Sequence, residues 1–219
     1  MRPYVFVNVA ASLDGKISDE SRRQLRISCD EDLKIVDELR ASADAVMVGI
    51  GTVLADDPRL TVKSQELRKR RVSEGRDSNP VRVVVDSRCR VPLKARVLNG
   101  EARTIIAVSE QADGERMERV SEHAEVIVSG KDRVDLKTLL AELKRRGIDR
   151  VMVEGGGTLI SSLLAEGLVD EMRIYYAPIL IGGESSPTVC DGRSFPTPLK
   201  GKITLEKVGE GFAVRIKLV

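Results

Sequence analysis

The residues with the clearest chemical potential lie in two glycine-containing stretches, each of which follows an apolar run. The first spans Val46 to Thr61 and reads VMVGIGTVLADDPRLT; the second spans Val151 to Ile160 and reads VMVEGGGTLI. Glycines let a ligand approach the backbone, and the N-terminus of a following helix presents unpaired N–H groups that favour phosphate. The two stretches therefore predict two walls of one nucleotide-binding cleft.

The second stretch carries three consecutive glycines between Glu154 and Thr158. Gly155, Gly156 and Gly157 would expose a row of backbone N–H groups at the positive end of a helix, which suits a pyrophosphate. The alternative is a turn that merely needs a positive φ angle. Three glycines in succession favour the binding role.

Several common catalytic signatures are missing. Gly49-Ile50-Gly51 begins like a dinucleotide fingerprint, but Leu54 stands where the third glycine would be, and no GxxxxGK[ST] motif occurs. The single histidine, His123, follows Glu122 in a polar segment without metal-ligand spacing and is predicted to be a surface residue. The sequence thus predicts no metal site and gives little support to Ser/His or Cys/His nucleophilic chemistry.

Carboxylates and hydroxyls at strand ends remain as candidates. Asp56 and Glu154 are candidate acid/base or substrate-binding groups, although either one alone could be a helix cap or half of a salt bridge. Asp86-Ser87 follows the β-branched run Val81 to Val85. Ligands of open α/β sheets bind beyond the carboxyl ends of strands, whereas the alternative for this pair is a turn cap.

Strands and helices alternate along most of the chain and must position these residues. Predicted strands cover Tyr4 to Ala10, Val46 to Gly49, Val81 to Val85, Thr104 to Val108, Glu125 to Val128, Arg150 to Val153 and Val169 to Ala177. Predicted helices run from a Ser28–Glu31 capping box to Ala43, briefly after Gly51, and over Gly114 to Glu122, Asp135 to Arg146 and Gly156 to Glu166.

The end of the chain alternates with period two over Lys202 to Val208 and Phe212 to Leu218, which predicts a hairpin. The whole pattern predicts one α/β domain over residues 1–219, with a mixed sheet, a parallel centre, an antiparallel C-terminal hairpin and helices on both faces. The charged segment Lys63 to Asn79, centred on Arg68-Lys69-Arg70-Arg71, is predicted to be an exposed excursion with a solvated basic run.

Composition narrows the class of partner. The net charge of +2 arises from 36 basic and 34 acidic residues, so no nucleic-acid or anionic-membrane footprint is visible. Three widely spaced cysteines do not support a disulfide framework, and the apolar run at the N-terminus is too short for a signal peptide or membrane span. We expect a soluble cytoplasmic protein.

Four motifs together resemble the reductases of riboflavin biosynthesis, whose fold is similar to that of dihydrofolate reductase. The motifs are Asn8 to Lys16 (NVAASLDGK), Gly49 to Thr61 (GIGTVLADDPRLT), Val84 to Ser87 (VVDS) and Glu154 to Gly157 (EGGG). They occur in the family's order and are spread over most of the chain. Bacterial members usually carry a fused zinc deaminase with H-x-E and P-C-x-x-C motifs, neither of which occurs in this sequence.

The resemblance therefore points to the stand-alone archaeal and fungal type. It implies NADPH-dependent reduction of 2,5-diamino-6-(ribosylamino)-4(3H)-pyrimidinone 5′-phosphate to the ribitylamino product. This chemistry needs proximity and desolvation rather than a nucleophile. A homodimer is also implied, with Ile179 to Ile181 and the final hairpin as the candidate interface. Three alternatives stay open: reduction of the deaminated substrate, reduction of a dihydropterin, and an NADPH-binding sensor without turnover.

The resemblance also assigns site residues, position by position. The catalytic positions are Asp56 and Glu154. The cofactor-binding positions are Thr52, Asp56, Ser87, Arg88, Gly130, Gly155, Gly156, Gly157 and Thr158, with Arg88 and Lys131 as candidates for the 2′-phosphate partner. The substrate-binding positions are Asn8, Asp14, Arg40, Arg59, Leu60, Lys63 and Glu154, and Arg59 is the first choice for the substrate phosphate. Ser21 to Arg26 departs from the bacterial pattern, so no contact is assigned to it.

Overall fold

A computed structural model describes residues 1–22 and 25–218. Its strands are β1 (Tyr4–Ser12), β2 (Ala45–Gly49), β3 (Val81–Val85), β4 (Thr104–Val108), β5 (Glu125–Val128), β6 (Arg150–Val153), β7 (Glu171–Ala177), β8 (Gly201–Val208) and β9 (Gly211–Leu218). Its helices are α1 (Asp30–Ser42), α2 (Ile50–Asp56), α3 (Gln65–Ser73), α4 (Gly114–Ser121), α5 (Leu136–Arg145) and α6 (Gly157–Ala165), with a 3-10 turn at Arg96–Leu98. Arg23 and Gln24, in the loop that departs from the bacterial pattern, lie outside the described residues.

The chain divides into two compact units. The first comprises Met1–Tyr4 and Asp37–Met152, and the second comprises Val5–Val36 and Val153–Val219. The single domain over residues 1–219 stays a prediction.

The first unit contains strands in the order β5-β4-β3-β2-β6. β2, β3, β4 and β5 pair in parallel. The Val81–Val85 run is buried at four of its five positions, as expected for a strand covered on both faces. Because β2 to β5 are parallel, the loops that follow them all leave from the same edge of the sheet.

The second unit contains strands in the order β1-β7-β9-β8. β1 and β7 are parallel, and Asn8 lies opposite Arg173 in their register. β9 pairs antiparallel with both β7 and β8. Parallel strands combined with an antiparallel C-terminal hairpin confirm the predicted mixed α/β fold class.

Helix α1 begins at Asp30. The predicted capping box, with Ser28 as N-cap, requires a helix that begins one residue earlier, at Cys29. The backbone N–H of Leu33 donates to the Cys29 carbonyl at 3.0 Å, so Cys29 occupies the capping position. The Cys29 thiol accepts the N–H of Asp32 at 3.4 Å, as a hydroxyl would at an N-cap. The predicted box is therefore wrong, because the thiol one residue later does the capping.

The predicted excursion at Lys63 to Asn79 contains helix α3, and one residue of its basic run is not solvated. Arg71 is 2% exposed. Its Nη1 donates to the carbonyls of Ala41 and Ala43 at 2.8 and 2.7 Å, and its Nε donates to the Asp77 carbonyl at 2.8 Å. Arg71 thus supplies donors and positive charge at the C-terminal end of α1. Its burial lowers the Arg71 pKa. The prediction of a solvated run is wrong at this position.

Candidate active site

Helix α2 follows β2 directly and carries two of the predicted site residues. No side chain caps its N-terminus at Gly49, and its seven residues end at Asp56. Thr52 lies in the first turn and is half-buried. The predicted strand followed by a short helix is confirmed, although the helix begins at Ile50 rather than after Gly51 and no separate turn precedes it.

The adjacent carboxylates Asp56 and Asp57 have different environments. Asp57 adopts a left-handed conformation (φ +40°) at the C-cap of α2, and its Oδ1 accepts the N–H of Arg96 at 2.7 Å. Asp56 is half-buried and has no hydrogen-bond or ionic partner in the described part of the chain. Burial raises the pKa of Asp56. Asp57 is therefore structural, whereas Asp56 is the carboxyl group available for chemistry.

The segment after α2 is strained. Besides Asp57, Leu60 has a positive φ of +53°, which is unusual for a residue with a branched side chain. The Leu60 side chain is buried. Leu60 can therefore offer a ligand only its backbone, whereas the side chain of Arg59, the residue before it, is exposed.

The candidate phosphate-binding cations lie on or beside this segment. Arg59 Nη1 pairs with Glu101 Oε1 at 3.2 Å. Arg40 Nη1 donates to the Thr61 carbonyl at 3.2 Å. The backbone N–H of Lys63, whose side chain is exposed, donates to Asp37 Oδ1 at 2.7 Å. Within the first unit, Arg40 on α1 thus contacts the segment between α2 and α3 that carries Arg59 and Lys63.

The loops that follow β3, β4 and β5 are hydrogen-bonded to one another. Ser87 Oγ accepts the N–H of Val134 at 3.1 Å, and the Ser87 carbonyl accepts the Ser109 hydroxyl at 2.8 Å. The Gly130 carbonyl accepts the N–H of Glu110 at 2.9 Å. The predicted cofactor positions Ser87, Arg88 and Gly130 therefore share one edge of the first unit, which the parallel strands require.

The surroundings of Gly130 and of the two candidate 2′-phosphate partners, Arg88 and Lys131, differ. Gly130 has a φ of +85°, and a Cβ there would lie 2.3 Å from the Arg133 carbonyl, so only glycine fits. Arg88 is exposed and donates to the Gln111 carbonyl at 3.2 Å. Lys131 is also exposed.

Asp86 is the buried anchor of the β3 loop rather than a ligand group. Its Oδ2 accepts the N–H of Val91 at 2.8 Å, and the residue is fully buried. Burial raises the Asp86 pKa, although the Val91 N–H opposes this shift. The turn-cap alternative considered for Asp86 is therefore confirmed.

In the second unit, the triple-glycine turn lies at the start of a helix, as predicted, and it also has the positive φ angles that the alternative of a simple turn requires. Gly155 and Gly156 have φ angles of +101° and +86°. Helix α6 begins at Gly157, no side chain caps it at Gly156, and its first intrahelical bond runs from Ile160 N–H to the Gly156 carbonyl. The N–H groups at the start of α6 therefore have no intrahelical acceptor and can bind an anion.

A loop that the sequence did not implicate packs against this turn. A Cβ on Gly157 would lie 2.5 Å from the Thr188 carbonyl and 2.7 Å from Asp191 Oδ2. The N–H of Asp191 donates to the Gly157 carbonyl at 3.1 Å, and Asp191 Oδ1 accepts the Thr188 hydroxyl at 2.7 Å. No spacing pattern links this loop to the glycines, so only the fold could reveal the contact.

Glu154 and Thr158 flank the glycines. Glu154 is half-buried and follows β6 directly, and Thr158 is exposed in the first turn of α6. The Thr158 carbonyl accepts the Ser162 hydroxyl at 2.8 Å.

Asp14 ties the turn after β1 to a distant loop. Its carboxylate accepts the Ser12 hydroxyl at 2.5 Å and the N–H groups of Ile181 and Gly182 at 3.1 and 2.7 Å. These bonds, led by that from Ser12, lower the Asp14 pKa to about 2. The structure thus gives Asp14 a loop-anchoring role, and its direct contact with substrate stays a prediction.

Asn8 belongs to a buried polar cluster that the sequence did not reveal. Its Oδ1 accepts a hydrogen bond from Arg173 Nη1 at 3.0 Å. The same Nη1 lies 2.8 Å from Asp32 Oδ1, in an ion pair whose side chains are 3% and 1% exposed. The available signal for this cluster was a charged residue, Arg173, between the apolar residues Met172 and Ile174 of β7.

Other site classes find no support in residues 1–22 and 25–218. No group of His, Cys, Asp and Glu there could hold a metal ion. His123 is exposed, as predicted. No helix within these residues has the length and apolarity needed to cross a bilayer.

Comparison with known families decides the relationship. The family model described as the RibD C-terminal domain matches residues 3–214. The chain belongs to the RibD C-terminal domain family. The resemblance to the reductases of riboflavin biosynthesis is therefore confirmed.

Two archaeal relatives of similar length match nearly the whole chain. A protein of Archaeoglobus fulgidus named 2,5-diamino-6-ribosylamino-4(3H)-pyrimidinone 5′-phosphate reductase is 68% identical over 214 residues, covering 98% of this chain and 97% of the relative. A protein of the same name from Methanothermobacter thermautotrophicus is 53% identical over 192 residues, covering 88% of this chain and 85% of the relative.

A solved structure of a longer protein also matches. The diaminohydroxyphosphoribosylaminopyrimidine deaminase/5-amino-6-(5-phosphoribosylamino)uracil reductase of Thermotoga maritima has a TM-score of 0.80 and is 30% identical, and the match covers 100% of this chain and 57% of that one. This chain therefore corresponds to little more than half of that two-activity protein.

Proposed function

We propose that this protein is an NADPH-dependent reductase of riboflavin biosynthesis. It reduces the ribosyl side chain of 2,5-diamino-6-ribosylamino-4(3H)-pyrimidinone 5′-phosphate to the ribitylamino product. The observation that carries the proposal is the 68% identity, over nearly the whole of both chains, to the archaeal protein named for this activity.

The residues at the start of α6 fit the proposed cofactor. The backbone N–H groups at the start of α6, after Gly155 and Gly156, have no intrahelical acceptor, and these would hold a pyrophosphate. Thr52, Ser87, Arg88, Gly130 and Thr158 are proposed as the remaining cofactor contacts. When bound, NADPH supplies the hydride.

Two carboxyl groups are proposed to act on the substrate. Reduction of an opened ribosylamino group adds a hydride at C1′ and a proton at the adjoining nitrogen. Asp56 suits the role of proton donor because burial raises its pKa. Its carboxyl group also has no hydrogen-bond or ionic partner in the described chain. Glu154 is proposed to hold the pyrimidine amino groups, together with the Asn8 and Asp14 motif.

The substrate phosphate is proposed to bind Arg59, with Arg40 and Lys63 nearby in the chain and Leu60 contributing its backbone. Arg59→Ala should raise the KM for the phosphorylated substrate at least tenfold while kcat changes little, because the phosphate lies away from the reacting carbon. Steady-state kinetics measures both values. Glu101→Ala is the matched control, since it removes the Arg59 ion pair but leaves the cation in place. An unchanged KM in Arg59→Ala would move the phosphate site elsewhere.

One assay separates the proposed activity from its alternatives. NADPH oxidation is followed with the diamino substrate, its deaminated counterpart and dihydrofolate in parallel, and again with NADH as donor. We expect the highest kcat/KM with the diamino substrate and NADPH. Preference for the deaminated compound would change the substrate assignment, and tight NADPH binding without turnover of any compound would indicate a sensor.

A homodimer is part of the proposal. Leu180, Ile203 and Leu205 are 75%, 61% and 68% exposed, and β8 is the last strand in the order of its unit. Apolar side chains on such a strand favour contact with a second copy. Leu205→Glu should convert a dimer into a monomer in sedimentation velocity, and a wild-type monomer would contradict the proposal.

We also propose a cytoplasmic location and a small-molecule substrate rather than a nucleic acid or membrane partner. All three cysteines, Cys29, Cys89 and Cys190, are free thiols, which suits a reducing compartment. Fractionation of the native host tests the location.

A further inference from the structure

Asn8, Asp32 and Arg173 form a buried polar network within the second unit. Their exposures are 6%, 1% and 2%. Arg173 Nη1 lies 3.0 Å from Asn8 Oδ1 and 2.8 Å from Asp32 Oδ1, so one nitrogen joins the other two residues. Asn8 and Arg173 lie opposite each other on the paired strands β1 and β7, whereas Asp32 comes from the first turn of α1.

Stability alone does not explain this network. Burying two charges costs several kcal/mol of desolvation, and apolar residues of similar volume are often at least as stable. Neither Nε nor Nη2 of Arg173 has a hydrogen-bond partner in the described chain, and both Asp32 oxygens also lack one of good geometry. The guanidinium and the carboxylate are thus only partly satisfied, which points to a role other than packing.

The network fixes the orientation of the Asn8 amide. A guanidinium only donates hydrogen bonds, so the Asn8 atom that faces Arg173 must be the carbonyl oxygen. Nδ2 is then the free end of the amide, and it has no hydrogen bond within the part of the chain that the structure describes. Asn8 therefore offers a ligand a donor rather than an acceptor.

We propose that Arg173, held in place by Asp32, is a positioning residue that turns Asn8 Nδ2 toward a hydrogen-bond acceptor of the pyrimidinone ring. The proposal rests on the proposed function, in which Asn8 contacts substrate. It explains why an ion pair lies beneath a substrate-binding strand. It also makes the Asn8 contact specific for a ring edge that presents an acceptor, such as the 4-oxo group.

A double-mutant cycle tests the proposal through KM. Arg173→Met and Asn8→Ala should each raise the KM for the diamino substrate about tenfold, with NADPH affinity unchanged. In the Asn8→Ala background, Arg173→Met should change KM less than twofold, because Arg173 acts only through Asn8. Equal effects of Arg173→Met in both backgrounds would overturn the proposal.

Two further variants guard against misfolding. Arg173→Lys keeps the buried charge but loses the planar donor fork, and it should raise KM by a smaller factor than Arg173→Met does. The control is Arg215→Met, because Arg215 lies opposite Arg173 on β9 but is exposed and pairs with Glu171. Arg215→Met should leave KM unchanged, whereas a KM increase equal to that of Arg173→Met would show a general effect of charge removal and overturn the proposal.

A second readout does not depend on turnover. The Asn8 side-chain NH₂ resonances, identified by their loss in Asn8→Ala, should be two sharp and distinct signals in the wild type and should broaden or shift in Arg173→Lys. Unchanged signals would overturn the positioning role even if the protein turns over no substrate. Absence of wild-type activity on every pyrimidine would instead refute the proposed function, so the two failures are distinguishable.

Discussion

Asp56 and Asp57 are adjacent in sequence, and their carboxyl groups differ because of a residue far along the chain. The N–H of Arg96 occupies Asp57 Oδ1, whereas nothing in the described chain satisfies Asp56. An unpaired, half-buried carboxyl group destabilises the folded state, but its raised pKa suits it to proton transfer. Sequence patterns identified the pair but could not say which member is free.

Asp56→Asn should lower kcat by about 10²- to 10³-fold, which is typical of losing a general acid. NADPH affinity should change little, as fluorescence titration would show. Because burial raises the Asp56 pKa, its protonated form persists to higher pH than an ordinary aspartate, and kcat should fall as pH rises through that pKa. This limb of the pH profile should be absent in Asp56→Asn.

Asp57→Asn is the matched control for this prediction. The amide keeps an acceptor for the Arg96 N–H, so kcat and its pH profile should resemble the wild type. Thermal unfolding adds an independent check, because Asp56→Asn removes a desolvated charge and should not lower the melting temperature. Normal turnover in Asp56→Asn would exclude Asp56 as the proton donor.

At the scale of elements, the first turn of α6 depends on a close approach by the loop at Thr188 to Asp191. Gly157→Ala would place Cβ 2.5 Å from the Thr188 carbonyl, so the loop must move. Overpacking of this kind costs about 1–3 kcal/mol. We expect that loss in urea unfolding, together with weaker NADPH binding.

Gly51→Ala is the contrasting substitution in α2. A Cβ at Gly51 would have no heavy atom within 4 Å, apart from its two chain neighbours and the backbone of its own helix. Alanine in a helix is favoured over glycine by about 0.5–1 kcal/mol, so the free energy of unfolding should rise. Equal stability losses in Gly51→Ala and Gly157→Ala would contradict the close-approach explanation.

The hydrogen bonds that the Asp14 carboxylate accepts from the N–H groups of Ile181 and Gly182 form a clamp on the loop that begins at Ile181. This Asp14 clamp predicts that the stability of the protein falls in acid. The folded pKa of about 2 lies below the ordinary value of 3.8. The stabilisation is therefore fully present above pH 4 and is lost as pH falls from about 4 toward 2. Asp14→Asn should flatten this part of the stability profile, which circular dichroism melts between pH 2 and 5 would measure. An unchanged profile would show that the clamp does not contribute.

At the scale of the whole molecule, regular structure was largely predictable and tertiary polar contacts were not. β-branched runs such as Val81 to Val85 and the final alternating hairpin are local signals, so their strands were located within a few residues. Arg71 looked like part of a solvated basic run because charge density is local, whereas its partners at Ala41 and Ala43 are set by tertiary packing. The Asn8 cluster was missed for the same reason.

Arg71 should matter for global stability more than its neighbours. Arg71→Ala leaves buried carbonyl groups at the end of α1 without donors, at a cost of about 3 kcal/mol. Arg70→Ala, an exposed neighbour on α3, should change the free energy of unfolding by less than about 0.5 kcal/mol. Urea denaturation measures both, and similar values would contradict the helix-capping role.

The burial of Arg71 also has a consequence for limited proteolysis. Trypsin cleaves after basic side chains that can enter its specificity pocket, and Lys69 and Arg70 are exposed, whereas the Arg71 guanidinium is held inside the protein. Cleavage after Arg71 must therefore await local opening of α3. The ratio of fragments ending at residue 71 to those ending at residue 70 would then report how often this helix detaches from the end of α1.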